Sequence, residues 1–253
     1  MLKVAAAAVI ACGLAFAPGL ARAEDQPPLP KQEWPFRGIF GTYDEAALQR
    51  GFQVYKQVCS ACHNLDHLRY SDLAGIGYDA DQIKAIAAQS QVTDGPDKEG
   101  KMFKRPARPS DNWVGPFPNE EAAAATFGGT APPDLSMIVK QREGGPDYVY
   151  GILTGFTDAP KDVTVPPGRY YNKYFLGHII AMPPPLQPNA VKYADGTSAT
   201  VPQMAHDVAS FLAWASHPNL DERHRTGFKV ILFLVIAAGV FYAAKRKIWS
   251  RIH

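Results

Sequence analysis

The sequence predicts a mainly α-helical domain with long loops, followed by one transmembrane helix near the C-terminus. Three observations support this fold class. Apolar residues recur at helical spacing in several segments. The 22 prolines and 21 glycines are spread through the 253 residues, which favours loops over a large sheet. Residues 228–244 carry no charge except Lys229, and this length is close to the lower limit for a membrane-spanning helix.

The first 23 residues have the pattern of a secretory signal peptide. Lys3 gives the positive start, an apolar stretch follows, and Ala21-Arg22-Ala23 is an A-x-A cleavage site. Of the three cysteines, Cys12 lies in this segment, so the mature chain would keep only Cys59 and Cys62. Cleavage would also leave basic and acidic residues equal in number. A balanced surface argues against a nucleic-acid-binding protein, which normally carries a basic patch.

The first predicted helix follows a proline-rich arm and reaches residue 62. Thr42 and Glu45 match a T-x-x-E capping box at its start. Gly51 in its middle suggests a close helix crossing, the alternative being a tolerated glycine on a solvated face. Side chains at spacings of three or four define one face: Leu48, Phe52, Tyr55, Cys59 and Cys62. We therefore expect this helix to present both thiols on its buried face.

Residues 59–63, Cys-Ser-Ala-Cys-His, form a C-x-x-C-H motif, which is the attachment signature of a c-type haem. Cysteines three positions apart on a helix lie on the same side, so both thiols can reach the vinyl groups along one porphyrin edge. His63 would then face the iron, for which imidazole is a normal proximal ligand. The motif therefore predicts one covalently attached haem c.

Two other chemistries use a C-x-x-C pair, namely a thioredoxin-like redox site and half of a zinc site. A structural zinc site needs about four ligands, and the sequence has no second C-x-x-C. A thioredoxin-like site should lie near a βαβ pattern, and the chain has no run of Val/Ile-rich strands.

Five further helices are predicted from apolar periodicity and from capping residues. They are expected at 79–89, 120–126, 134–142, 146–153 and 202–216. Asn119 and Asp134 are the expected N-caps of the second and third of these helices, and Pro146 is the expected first residue of the fourth. Residues 93–118 are polar and proline-rich, which predicts a long surface loop.

The expected sixth ligand of the iron is Met182. It lies in an aromatic and apolar loop, residues 170–186, and three prolines follow it directly and restrict the backbone. Met137 and Met204 lie on apolar helix faces, where methionine usually fills the core, and Met102 lies in a charged run. His178 is the alternative ligand and would lower the potential relative to His/Met ligation. An open iron site is the remaining alternative.

Residues 228–244 would cover roughly 25 Å of a hydrocarbon core of about 30 Å, and Lys229 can snorkel to extend the reach. A buried core helix is the alternative. Lys245-Arg246-Lys247 and Trp249 follow directly and favour a membrane helix with a cytoplasmic C-terminus. The expected organisation is a signal peptide at 1–23, a periplasmic haem domain at 24–225, a transmembrane helix at 226–246 and a cytoplasmic tail at 247–253.

Together these features resemble the bacterial cytochrome c1 family, the haem-bearing subunits of the quinol:cytochrome c oxidoreductase or cytochrome bc1 complex. The resemblance covers nearly the whole mature chain. Besides the C-x-x-C-H motif and the anchor, it is carried by Pro132-Pro133-Asp134-Leu135-Ser136, by Tyr171-Asn172-Lys173-Tyr174-Phe175 and by Ala181-Met182-Pro183-Pro184-Pro185. Some bacterial members carry an extra cysteine pair and an insertion before the methionine, and this chain has neither.

The resemblance implies a class I cytochrome c-like helical haem domain and implies that His63 and Met182 are the axial ligands. It also places Pro133 in the haem site, pairs Arg142 with a haem propionate and sets Tyr148 beside the haem. A solvated surface charge is the alternative for Arg142, because surface arginines commonly contribute nothing measurable.

The implied function is one-electron transfer from a Rieske iron–sulfur protein to a soluble periplasmic cytochrome c, without independent catalysis. The implied partners are cytochrome b, these two proteins and the lipid bilayer, within a dimeric complex of the bacterial inner membrane. Glu120 and Glu121 are candidates for an acidic docking patch, although a capped helix start explains them equally well.

Two alternative functions stay open on the sequence alone. One is a membrane-anchored cytochrome that serves a terminal oxidase or a periplasmic dehydrogenase. The other is a haem sensor or a peroxidase-like enzyme in which Met182 leaves the iron.

Overall fold

The computed structural model describes residues 27–250. The predicted signal peptide, with Cys12, lies outside the described residues. The described chain is mostly helical with two small antiparallel ribbons, so the predicted fold class is confirmed. The helices are α1 (Glu45–Gln57), α2 (Ala80–Ala87), α3 (Glu120–Thr126), α4 (Ile138–Gln141), α5 (Pro146–Thr154), α6 (Val201–Ser216) and α7 (Leu220–Trp249). The strands are β1 (Gln91–Asp94), β2 (Phe103–Pro106), β3 (Tyr170–Tyr171) and β4 (Ile179–Ile180).

The core forms where α1 crosses α6, and α4 and α5 also pack on α6. Gly51 lies at the crossing, where an added Cβ would be 2.0 Å from the carbonyl oxygen of Asp207 and 2.7 Å from Cβ of Phe211. The predicted close crossing is therefore confirmed. Beside it, Arg50 donates through Nε and Nη2 to the fully buried Asp207 carboxylate, at 3.0 and 3.1 Å.

The start of α1 differs from the prediction. Its N-cap is Asp44, whose carboxylate accepts from the backbone N–H of Ala46 at 3.0 Å and of Ala47 at 3.4 Å. The capping box proposed for Thr42 and Glu45 is therefore wrong. A carboxylate directly before the helix is charged and interacts with the helix dipole more strongly than a threonine hydroxyl does.

The other predicted helices agree with the structure within about two residues at each end, apart from α4 and α7. Asn119 caps α3 by accepting from the N–H of Ala122 at 2.8 Å, and Pro146 is the first residue of α5. The helix expected from Asp134 begins only at Ile138. Asp134 is not its cap, because its carboxylate is bound elsewhere, as described below.

Residues 93–118 lie mostly at the surface, as predicted, but they are not simply a loop. Strand β1 pairs with β2 in an antiparallel hairpin, and Arg105 binds the carboxylates of Asp94 and Asp111. Trp113 then packs against the core, with its ring centroid 4.5 Å from that of Tyr70 and 5.6 Å from that of Phe52. Strands of four residues carry little periodicity, which is why the sequence pattern missed them.

Helix α7 is continuous over 30 residues and begins before the predicted span. Within residues 27–250 it is the one helix that is long and apolar enough to cross a membrane, and none of its most apolar window is buried inside the protein. The alternative of a buried core helix is therefore contradicted.

Candidate haem site

The C-x-x-C-H motif lies on a 3₁₀ turn at Cys59–Ala61, directly after α1. The backbone N–H groups of Cys62 and His63 donate to the carbonyl of Cys59 at 3.1 and 2.9 Å. The hydroxyl of Tyr55, on α1, donates to the carbonyl of His63 at 3.0 Å. A tight turn tied back to α1, and not the α-helix face that we predicted, therefore presents the two cysteines and the histidine.

Cys59 and Cys62 are free thiols, and both are partly buried. Burial raises the pKa of the Cys59 thiol to about 12, and neighbouring Cys62 adds to the shift. A thioredoxin-like nucleophile needs the opposite shift, since its thiolate is the reactive form. Among residues 27–250, no group of three or more His, Cys, Asp or Glu side chains could hold a metal ion. The described chain therefore favours neither alternative to haem attachment.

His63 is oriented by a backbone carbonyl. Its Nδ1 lies 2.8 Å from the carbonyl oxygen of Pro133. Because a carbonyl only accepts, Nδ1 carries the proton and donates it, which leaves the lone pair of Nε2 for a metal. Burial lowers the pKa of His63 and outweighs the opposing effects of the Pro133 carbonyl and the Asp134 charge. The ring is therefore neutral at neutral pH, the form that binds iron.

The segment that contains Pro133 is fastened to the residues that follow His63. The Asp134 carboxylate accepts from the N–H of Asp66 at 2.8 Å and from that of Ser136, also at 2.8 Å. The hydroxyl of buried Ser136 accepts from the N–H of His67 at 3.1 Å. These bonds hold the Pro133 carbonyl against His63. Sequence reasoning missed them, although Asp-x-Ser is the pattern of an Asx turn.

Met182 is half-buried and lies two residues after β4. The β3–β4 hairpin is fixed to the end of α5: buried Asn172 donates from Nδ2 to the carbonyl of Ile152 at 2.7 Å, and the N–H of Lys173 donates to the carbonyl of Gly155 at 3.0 Å. The stretch from Pro133 to Gly155 therefore contacts His63 at its beginning and the Met182 hairpin at its end. The anchoring role of Asn172 had no signal in the sequence pattern.

The competing ligand candidates have other contacts. His178 has a positive φ of 58°, its Nδ1 lies 3.2 Å from the carbonyl of Asn172, and its ring stacks on Tyr171. It is therefore held in the turn of its own hairpin. Met204 is fully buried in the core and Met102 is 60% exposed, as predicted for both.

Arg142 and Tyr148 lie close together. Arg142 is exposed at the end of α4, and Tyr148 is half-buried in the first turn of α5. Burial raises the pKa of Tyr148, and the positive charge of Arg142 acts in the opposite direction. The exposed guanidinium is compatible with a carboxylate partner at the surface and with a solvated charge.

Glu120 and Glu121 are exposed in the first turn of α3. This position is compatible with an acidic docking patch and with acidic residues that stabilise the start of a helix.

The residues present fit a covalently bound haem. Two free cysteines flank a turn whose histidine keeps Nε2 available, and a thioether follows on a proline-restricted loop. A cleft of about 540 Å³ opens beside this loop, but none of Cys59, Cys62, His63 and Met182 lines it. Its lining includes Leu153, Phe156, Tyr171, Pro184 and Leu186.

Comparisons with known proteins point to the same chemistry. Residues 34–252 match the model of the Cytochrome C1 family. The chain is 43% identical to cytochrome c1 of Rhodospirillum rubrum, over 100% of this chain and 99% of that protein. It is 45% identical to the cytochrome b-c1 complex catalytic subunit of Candida albicans, over 88% of this chain and 78% of that protein. It is 46% identical to cytochrome b/c1 of Bradyrhizobium diazoefficiens over 98% of this chain, but it spans only 40% of that longer protein.

Proposed function

Because the chain belongs to the cytochrome c1 family, we propose that it transfers single electrons from a Rieske iron–sulfur protein to a soluble periplasmic cytochrome c, within a cytochrome bc1 complex. The observation that carries this proposal is the contact between His63 and Pro133, which prepares an imidazole for axial ligation directly beside two free thiols. The exposed apolar helix α7 supplies the membrane anchor.

Each residue of the site has a defined task in this proposal. Cys59 and Cys62 would hold one haem c through thioether bonds, and His63 and Met182 would ligate its iron. When bound, the haem supplies a one-electron couple at its iron. Pro133 fixes the tautomer and the ring orientation of His63. The three prolines after Met182 restrict the loop that carries its thioether.

Arg142 and Tyr148 complete the site. We assign Arg142 to a haem propionate because its guanidinium is exposed beside Tyr148, at the start of α5. Tyr148 then lies beside the haem with a half-buried ring. Docking of the soluble cytochrome is weak and transient, and exposed Glu120 and Glu121 supply charge that can assist it.

Covalent attachment of haem is tested by denaturing electrophoresis followed by haem staining. The wild-type chain should keep its haem stain in denaturant, and the Cys59→Ser/Cys62→Ser double variant should lose it. The haem-to-polypeptide ratio of the purified protein should be one. A wild-type chain that releases its haem on denaturation would show that the thiols are not bonded to it.

The partners are tested by purification in mild detergent. We expect cytochrome b and a Rieske protein to copurify with the chain, in an assembly whose mass corresponds to a dimer. Copurification with subunits of a terminal oxidase or of a dehydrogenase would support the first alternative function instead.

The ligand set separates electron transfer from sensing or peroxidase chemistry. If Met182 holds the sixth position, the reduced protein should exclude carbon monoxide at neutral pH. Rapid binding of carbon monoxide would contradict the electron-transfer proposal and support a displaceable ligand.

The membrane orientation follows from the basic cluster at Lys245-Arg246-Lys247, which should remain in the cytoplasm. A bacterial inner-membrane protein with its haem domain in the periplasm should therefore expose a C-terminal tag to cytoplasmic, but not to periplasmic, reagents. Labelling from the periplasmic side would reverse the orientation.

A further inference from the structure

A tight turn in the N-terminal arm carries two apolar side chains that the domain does not bury. Ile39 and Phe40 are each 75% exposed at the tip of this turn. The N–H of Gly41 donates to the carbonyl of Gly38 at 3.3 Å, and Gly38 has a positive φ of 83°. A Cβ at Gly41 would lie 2.4 Å from the carbonyl oxygen of Arg37, so the turn can only close this tightly around glycine. We call residues 38–41 the apolar tip.

The apolar tip is fixed to α7. The Nδ1 atom of His224 lies 2.8 Å from the carbonyl oxygen of Gly41, which accepts the ring proton. The rings of Phe40 and Phe228 pack with their centroids 6.3 Å apart, within the usual range for aromatic pairs. Two residues beyond the tip, the N–H of Tyr43 donates to the Asp221 carboxylate at 3.3 Å. The tip therefore stays beside the first turns of α7.

This position coincides with the start of the exposed apolar surface of α7. Phe228 is the first residue of the apolar stretch 228–244, and it is itself 57% exposed. That stretch covers roughly 25 Å, about 5 Å less than a hydrocarbon core. The apolar tip adds hydrophobic surface at the end of the stretch that faces the folded domain. Its surface is thus continuous with the surface that meets lipid chains.

The charges around the apolar tip suit a lipid headgroup layer. Arg223, Arg225 and Lys229 are exposed along α7, Arg37 is ion-paired with Asp147, and the acidic Asp221 and Glu222 lie in the first turn of α7. Aromatic rings are favoured at this level of a bilayer, and the heads of Lys and Arg side chains near the end of a membrane helix reach the interface. The tip has only two apolar side chains and a border of charges of both signs, so it is smaller than the broad patches typical of protein interfaces.

We propose that the apolar tip inserts into the lipid interface beside α7 and forms a second membrane contact of the haem domain. Together with α7, it gives the domain two points of attachment and thereby restricts its tilt over the membrane. The proposal requires α7 to cross a membrane, but it does not depend on the electron-transfer partners.

The test is photocrosslinking in native membranes that contain the full chain and its partners. Phe40 is replaced with p-benzoylphenylalanine, which preserves an aromatic ring at this position. Phe233, within the apolar stretch of α7, is the positive control, and exposed Met102, on the distant β1–β2 hairpin, is the matched negative control. We expect position 40 to form phospholipid adducts at a yield comparable with position 233 and several-fold above position 102. The same replacement at Ile39 provides a second site if the variant at position 40 does not assemble.

Three results would overturn the proposal. Adducts at position 40 with another polypeptide would mean that a subunit covers the apolar tip. Yields at position 40 that match position 102, while position 233 labels lipid, would mean that the tip remains in water. A lack of lipid adducts at position 233 would remove the membrane assignment of α7 and the proposal with it. None of these outcomes changes the haem staining or carbon monoxide results, so the proposed function is judged separately.

Discussion

His63 and Pro133 are 70 residues apart in sequence, yet the Nδ1 atom of His63 lies 2.8 Å from the carbonyl oxygen of Pro133. The contact selects the tautomer in which Nε2 is free and fixes the plane of the ring. It is held by hydrogen bonds that Asp134 and Ser136 make to the backbone of Asp66 and His67. The attachment motif and the Pro133 segment therefore form one structural unit.

Met182→Leu tests the sixth ligand. Replacing the thioether should lower the midpoint potential by a sizeable part of the roughly 0.8 V range that axial ligation spans. The measurement is a redox titration of the haem absorbance. Met204→Leu is the matched control, because Met204 is fully buried in the core and leucine has nearly the same volume as methionine. Its midpoint potential should equal that of the wild type. An unchanged potential in Met182→Leu would exclude Met182 as the ligand.

Asp134→Ala tests the fastening of the Pro133 segment. The variant loses a charged acceptor for two backbone N–H groups, so we expect a loss of about 1–3 kcal/mol in unfolding free energy. Since the Pro133 carbonyl is no longer held in place, the midpoint potential should shift as well. Asp134→Asn keeps one acceptor oxygen and should retain most of both properties. If the Asp134→Ala variant has the unfolding free energy and the midpoint potential of the wild type, Asp134 does not hold the Pro133 segment in place.

Gly51→Ala tests the crossing of α1 and α6. The added methyl group would overlap the Asp207 carbonyl and Phe211, so stability should fall by about 1–3 kcal/mol or more. The control is Gly227→Ala in α7, where no atom lies within 4 Å of the added Cβ. That variant should be neutral or more stable by up to about 1 kcal/mol through helix propensity. Thermal unfolding in detergent compares the Gly51→Ala and Gly227→Ala variants. Equal unfolding temperatures of the two variants would contradict the close crossing of α1 and α6.

Asp147 predicts a pH dependence of stability. Burial raises the pKa of its carboxyl, but hydrogen bonds from Arg37, Gln32 and Trp34 outweigh this effect and lower the pKa overall. The folded-state pKa thus lies below the unfolded value of about 3.9. The stabilisation should be complete above about pH 5 and should be lost as the pH falls through the folded pKa.

The measurement for Asp147 is denaturant unfolding of the wild type and of Asp147→Asn over a pH series. The difference in unfolding free energy isolates this carboxyl from the other titrating groups. We expect a constant difference near neutral pH that shrinks below about pH 4. A difference that stays the same down to pH 3 or so would show that Asp147 contributes nothing through its charge.

Several features were accessible from the sequence because their causes are local. Asn119 precedes α3 as a cap and Pro146 begins α5, since each reflects the conformational preference of one residue and its neighbours. Gly51 indicated a helix crossing because a glycine inside a helix lowers its stability and usually has a packing reason. The C-x-x-C-H motif and the long apolar stretch are also read from contiguous residues. These elements sufficed for the mainly helical fold with one apolar C-terminal helix.

Tertiary contacts decided the rest. Tyr55 ties the backbone of His63 to α1, and half-buried Trp113 packs a region predicted as a surface loop against the core. The carboxylate of Asp134 binds the backbone of Asp66, 68 residues away, and so it does not cap a helix as its sequence context suggested. A side chain with several possible partners takes the one that the packed fold brings close, and local preferences do not contain that choice. The sequence alone therefore determined which chemical groups are available for haem, and the fold determined that the carbonyl of Pro133 orients His63.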